Sequence, residues 1–307
     1  MGRIYAIALN TFREAVRDRV LYGVLGFATA VLFFTLALAE LSLHEQTRVV
    51  TDVGLASISL FSVIVAIFLG SSLLYKEIER KTLYVILPKP IRRAEFLLGK
   101  YLGIVLTAVV FVALMGALQL WITAIQAGAA PGPVVGSLLG LAGLLAAGLY
   151  WARDRTAVLV PFAALALTVV SLVAADAGVP LPPILAQLSL CAVEVLVLAA
   201  VATLFSSFSS PFLTGIFTLG IWVLGRSADD MATMKSKQLS ESLRLLLRFL
   251  AEILPNLQLY APGRTLLTGQ SQVLVWPYVA TSAGYGLLYA TVLLIVAALI
   301  FQRRDFI

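Results

Sequence analysis

Apolar runs about as long as a bilayer is thick recur along this whole sequence. Crossing about 30 Å of hydrocarbon takes roughly 20 mostly apolar residues at the helical rise. Eight stretches are candidates: Val20–Ala39, Val53–Tyr75, Tyr101–Ala127, Pro133–Ala152, Thr156–Ala175, Ile184–Phe205, Phe208–Gly225 and Val273–Phe301. Hydrocarbon offers no water to satisfy backbone N–H and C=O groups, so such runs must be helical. The pattern predicts an all-α polytopic membrane protein of about eight transmembrane helices. Composition agrees. The chain is 61% hydrophobic and 12% charged, against about 25% charged in soluble domains. Its length is spent on spans, which leaves no room for a large soluble domain. Phe208–Gly225 is shorter and contains Pro211, so it reads as either a short span or a re-entrant element.

The formal net charge is +6. The basic residues cluster beside the apolar runs, where they set topology, so no nucleic-acid partner is expected. With the N-terminus inside, 15 of the 22 Lys and Arg residues fall on inner segments and 7 on outer ones. This predicts both termini to be cytoplasmic. Residues 1–19 lack the apolar core and small-residue site of a cleavable signal. Ile4, Ile7, Ala8, Thr11, Phe12 and Ala15 share one helical face, which Arg3, Arg13, Glu14, Arg17 and Asp18 avoid, as in a helix lying in the membrane interface. Residues 20–307 then form the transmembrane domain.

Enzyme chemistry finds no foothold. The single cysteine, Cys191, excludes a disulfide framework and a cysteine metal site. The single histidine, His44, excludes a histidine-rich metal site and an H-E-x-x-H motif. There is no G-x-S-x-G and no G-x-x-x-x-G-K-[ST]; Gly99–Lys100 is followed by Tyr101. The chain is expected to bind no cofactor. The outer loop, 226–272, carries an amphipathic segment over Gln238–Leu254 that Pro255–Asn256 ends.

Two polar features interrupt the apolar background. Glu194 sits near the middle of Ile184–Phe205, where a charge costs about 3 kcal/mol on insertion scales. Gln187, Cys191 and Glu194 share a helical face. Either this stripe lines a substrate path, with Gln119 and Gln126 as candidate partners, or Glu194 is a structural group between helices. Gly99-x-x-x-Gly103 and Gly136-x-x-x-Gly140 permit close helix contacts.

The second feature is a charged segment over residues 76–100. Ile78, Thr82, Tyr84, Val85 and Ile86 form a short apolar stripe, Glu77, Glu79, Arg80 and Lys81 stay wet, and Pro88 and Pro90 stop the helix. From the residues alone, it is equally a helix docking into a partner's groove and a solvated, positive-inside loop.

The succession Glu79-x-x-Thr82-Leu83, Leu87-Pro88-x-Pro90, Arg93-x-Glu95 and Leu97-Leu98-Gly99-Lys100 resembles the inner-loop signature of type-2 ABC exporter permeases. The outer segment Leu254–Gly263 and the N-terminal helix are similar to that family too, so the resemblance covers Gly2–Ala127 and Ile184–Ile307. Lys81 departs from the pattern, standing where glycine is common, and the pair over 133–175 is additional to the usual six spans. The resemblance implies a permease subunit in a bacterial inner membrane, working as a dimer with a second copy or a close paralogue. A separate ABC ATPase subunit would bind ATP and Mg. Coupling to it would fall to Glu77, Ile78, Glu79, Arg80, Thr82, Leu83, Val85, Ile86, Leu87 and Arg93. The alternative function is transmission of ATPase motion to an extracytoplasmic partner without passage of a substrate.

Overall fold

The computed structural model describes residues 2–42, 45–79, 92–228, 252–261 and 274–303, together with 245 and 249. Among these, all regular structure is helical: α1 (Gly2–Val16), α2 (Arg19–Glu40), α3 (Gln46–Glu79), α4 (Arg93–Gln126), α5 (Pro131–Trp151), α6 (Leu159–Asp176), α7 (Leu181–Ser206), α8 (Pro211–Arg226) and α9 (Val275–Arg303), with a 3-10 turn at Leu257–Tyr260. Seven are long and apolar enough to cross a membrane: α2 to α7 and α9. The fold is an all-α polytopic membrane protein, as the apolar runs predict.

The eighth stretch falls short of a span. α8 has 16 residues, a length of about 24 Å against about 30 Å of hydrocarbon. Pro211 occupies its first turn, where a missing N–H costs nothing. A four-residue connection, 207–210, separates α7 from α8, and Phe205 of α7 stacks on Phe217 of α8 at 5.3 Å.

α4 and α7 form the centre. The core joins Leu32 of α2, Ile58 and Leu69 of α3, Phe111 and Leu120 of α4, and Leu190 and Leu198 of α7. α4, at 34 residues, is about 51 Å long and outreaches the hydrocarbon by about 20 Å. The excess carries Arg93, Glu95 and Lys100 at its N-terminal end.

α1 packs beside that end. Its buried face is Ala8, Thr11, Phe12, Ala15 and Val16, with Ile4 and Ile7 half-buried. This is the face the sequence predicts, extended by Val16. It is covered by protein: Phe12 and Val16 cluster with Val110 of α4 and Ala163 of α6. The approach depends on Gly99 and Gly103. A Cβ on Gly103 would stand 2.5 Å from Thr11 Cβ and 2.7 Å from the Ala8 carbonyl oxygen. Lys100, nearly fully buried, pairs with Glu14 at 3.5 Å. Gly136 and Gly140 of α5 meet nothing within 4 Å, so the second glycine pair makes no helix contact here.

The added pair, α5 and α6, is attached on one side. α6 buries Ala163, Ala166, Val170 and Ala174, whereas only Val134 and Ser137 of α5 are buried. Asp154, in the connection between them, is ion-paired with Arg13 of α1.

Candidate functional site

Glu194 anchors a polar cluster inside the bundle. It is the fourteenth of the 26 residues of α7 and is fully buried. Arg226, at the C-terminal end of α8, meets it as a two-pronged fork. Its Nε donates to Glu194 Oε1 at 3.0 Å and its Nη2 to Oε2 at 2.9 Å. The indole N–H of Trp222 donates to Oε1 at 3.0 Å, and Ser59 Oγ of α3 donates to Oε2 at 3.1 Å. Arg226 Nη2 also reaches Ser59 Oγ at 2.7 Å. Both carboxylate oxygens are thus satisfied twice. Trp222 lies one turn before Arg226, whose guanidinium carbon stands 5.7 Å from the ring centroid. The ring shields the charge and attracts it through its quadrupole.

The arrangement follows from a fully buried carboxylate meeting a guanidinium whose side chain is 25% exposed. An unpaired charge at membrane depth is costly, and a bidentate guanidinium–carboxylate pair with its remaining lone pairs filled is the state that tolerates burial. The cluster ties α3, α7 and α8 together. α8 runs back along α7 until Arg226 reaches Glu194.

The chain beyond α8 stays close to this level. Gly225 brings the backbone against residues 255–257: a Cβ there would lie 2.6 Å from the Pro255 carbonyl oxygen and 2.9 Å from Leu257 Cγ. The segment 252–261 lies along α9 and is fastened by tyrosines. Tyr289 donates to the Ile253 carbonyl at 2.9 Å and Tyr278 to the Leu259 carbonyl at 2.7 Å. The Asn256 N–H donates to Tyr285 Oη at 3.1 Å. Gln187 of α7 donates to the Tyr260 carbonyl at 3.0 Å, and Asn256 Oδ1 accepts from the Gln258 N–H at 3.1 Å. Non-helical backbone is tolerated at membrane depth only when protein groups satisfy it, and here side chains do so at successive positions.

The candidate path residues therefore separate. Glu194 and Gln187 belong to this region, but Gln119 and Gln126 do not meet Glu194. Gln119 of α4 donates to the Val50 carbonyl at 2.9 Å, and Gln126 donates to Gln46 Oε1 at 3.1 Å. The partners of Glu194 are Arg226, Trp222 and Ser59, which sequence reasoning did not assign. The available signal was Trp222-x-x-x-Arg226 at helical spacing on a stretch too short to cross.

The second candidate region is the junction between α3 and α4. Glu77, Ile78 and Glu79 lie in the last turns of α3. Arg80, Thr82, Leu83, Val85, Ile86 and Leu87 lie outside the described residues, as does His44, and so does the expected amphipathic helix over 238–254 apart from 245, 249 and 252–254. Arg93, the last of the coupling candidates, is placed. Its guanidinium donates to the carbonyls of Gln302 at 2.9 Å and Phe301 at 3.5 Å, at the C-terminal end of α9. The C-terminal end of a helix carries the negative end of its dipole, which a guanidinium complements. Phe96 and Leu97 pack with Ala297 and Phe301 beside them. The starts of α4 and α1 and the end of α9 therefore occupy one end of the bundle.

A bundle of lipid-length helices with a polar joint at mid-depth defines a multi-pass membrane protein. A family model for the ABC-2 family transporter protein matches residues 5–306, nearly the whole chain, and the protein belongs to that family. It is the permease-type subunit of an ABC transporter. No curated protein matches the chain.

Proposed function

We propose that the protein is the membrane subunit of an ATP-driven exporter, dimeric with a second copy or a close paralogue, and driven by a separate ATPase that holds ATP and Mg. In this reading both ends of the chain lie on the cytoplasmic side, and the 76–100 segment receives the ATPase there. The observation that carries this reading is the seat of Arg93. It joins the helix that follows the 76–100 segment to the end of α9, and α9 in turn holds the 252–261 segment through Tyr278, Tyr285 and Tyr289. A push delivered at the start of α4 is thereby shared with α9 and carried toward the polar joint. Family membership and the absence of a phosphate-cradling motif in the sequence support an external energy source.

The test is pull-down of the ATPase by a Val85→Asp/Ile86→Asp variant. The variant is expected to insert and purify normally while losing the ATPase. Undiminished ATPase recovery would refute docking through this segment. In the same reading Glu194 is a joint between moving helices rather than a contact for cargo.

A further inference from the structure

We propose that the cleft between α1 and the α5–α6 connection binds the phosphate group of an anionic phospholipid. The cleft holds about 780 Å³ and is lined by Asn10, Arg13, Glu14, Arg17, Arg153 and Asp154. Its two carboxylates are already engaged, Asp154 by Arg13 and Glu14 by Lys100. Arg17 and Arg153 are exposed and have no carboxylate partner among the described residues. Arg13 Nε is a buried donor without a partner among them. Two uncompensated guanidiniums thus line one concavity beside Arg13, a donor set that suits phosphate oxygens.

The position selects a lipid as the source of that phosphate. α5 has 21 residues, about 31 Å, which matches the hydrocarbon thickness and puts its end at an interface. Tyr150 and Trp151, the last two residues of α5, are 83% and 82% exposed, in the manner of an interfacial aromatic belt. The cleft begins two residues later. Above it, α5 offers an apolar surface with Leu138, Leu139 and Leu144 more than half exposed, against which acyl chains can lie. Headgroup, interface and chain would be met in register, as in basic pockets that hold anionic lipid headgroups between spans. The inference rests on the protein spanning a bilayer and not on export.

The test uses full-length protein in nanodiscs of phosphatidylcholine, with and without phosphatidylglycerol, and compares Arg17→Gln/Arg153→Gln with Arg48→Gln, which removes a charge at the other end of the bundle. Lipid retained on the protein is counted by native mass spectrometry, and the unfolding midpoint is recorded. The double variant should keep the parent midpoint in pure phosphatidylcholine and retain phosphatidylglycerol roughly tenfold less well, the scale of one lost charged hydrogen bond. Arg48→Gln should match the parent, and Arg17→Lys/Arg153→Lys should recover part of the loss. Equal retention by parent and double variant overturns the proposal. So does a lowered midpoint of the double variant in pure phosphatidylcholine, which would make the arginines structural. In a third arm the parent in phosphatidylcholine is titrated with inorganic phosphate. A saturable rise in midpoint that the double variant lacks, without any preference for phosphatidylglycerol, would overturn the lipid assignment in favour of free phosphate.

Discussion

Glu194 and Arg226 are individually expensive and jointly tolerable. Removing Arg226 leaves Glu194 charged and buried, which typically costs about 3–5 kcal/mol; removing Glu194 costs less, since the Arg226 side chain is 25% exposed, and replacing both by apolar residues of similar size is often near neutral. Glu194→Leu and Arg226→Leu should each lower the thermal midpoint of purified protein, and the double variant should recover most of the loss; a double variant no better than the singles would show that the pair is not coupled. Glu194→Gln keeps one acceptor oxygen but sets an N–H donor where the other stood, and should fall between the parent and Leu. Close glycine contacts give a second comparison. Gly225→Val drives a side chain into the Pro255 carbonyl and should cost about 1–3 kcal/mol or more by overpacking. Gly136→Val, in open space on α5, should leave the midpoint unchanged, and a matching loss there would mean that α5 has a partner.

Among the elements, the α5–α6 pair is joined to α1 by the Arg13–Asp154 contact. The Asp154 carboxyl is held below the usual carboxylate range, first by the Thr156 hydroxyl; partial desolvation opposes this, and the hydrogen bond and charge of Arg13 add to the lowering. A depressed pKa stabilises the folded form above the unfolded value, about 3.9 for aspartate, and that contribution is lost as pH falls through the folded value. The midpoint difference between parent and Asp154→Asn should therefore stay flat from pH 8 to pH 5 and shrink only in acid below about pH 4; a difference already fading near neutrality would contradict the contact. Sidedness of the same pair is open to labelling. Cysteines at Thr47 and Ala177 should react with an impermeant maleimide from outside, and one at Arg155 only after lysis. Outside reaction at 155 would reverse the orientation of the pair. Spans and the face of α1 were legible in the sequence because period and length determine them; the Gly99–Gly103 contact was not told apart from Gly136–Gly140, which has the same spacing and open space around it. The pairing of Arg226 with Glu194 was not legible, since the two lie 32 residues apart, and apolar period carries no record of such a distant partner. The tyrosine fastening of 252–261 was hidden for the same reason: Tyr278, Tyr285 and Tyr289 read as ordinary apolar positions of a span until the backbone they hold is in place.

Taken whole, the molecule puts its charged junctions at one end and its polar joint in the middle, and α4 and α9 run between the two. The half-length of α8 has a consequence for how such a chain is made. As α8 leaves the ribosome it is too short to settle across a bilayer by itself and ends in an arginine, and a central charge opposes insertion by about 2.5–3.5 kcal/mol. Glu194 opposes insertion of α7 by a similar amount. Released together as a hairpin, the two helices pair these charges and offset that cost, which favours their entry as a unit. Insertion and folding are therefore opposed at this pair: Glu194→Leu should let α7 enter the bilayer more readily, since its penalty is gone, yet leave the finished bundle without the anchor for Arg226.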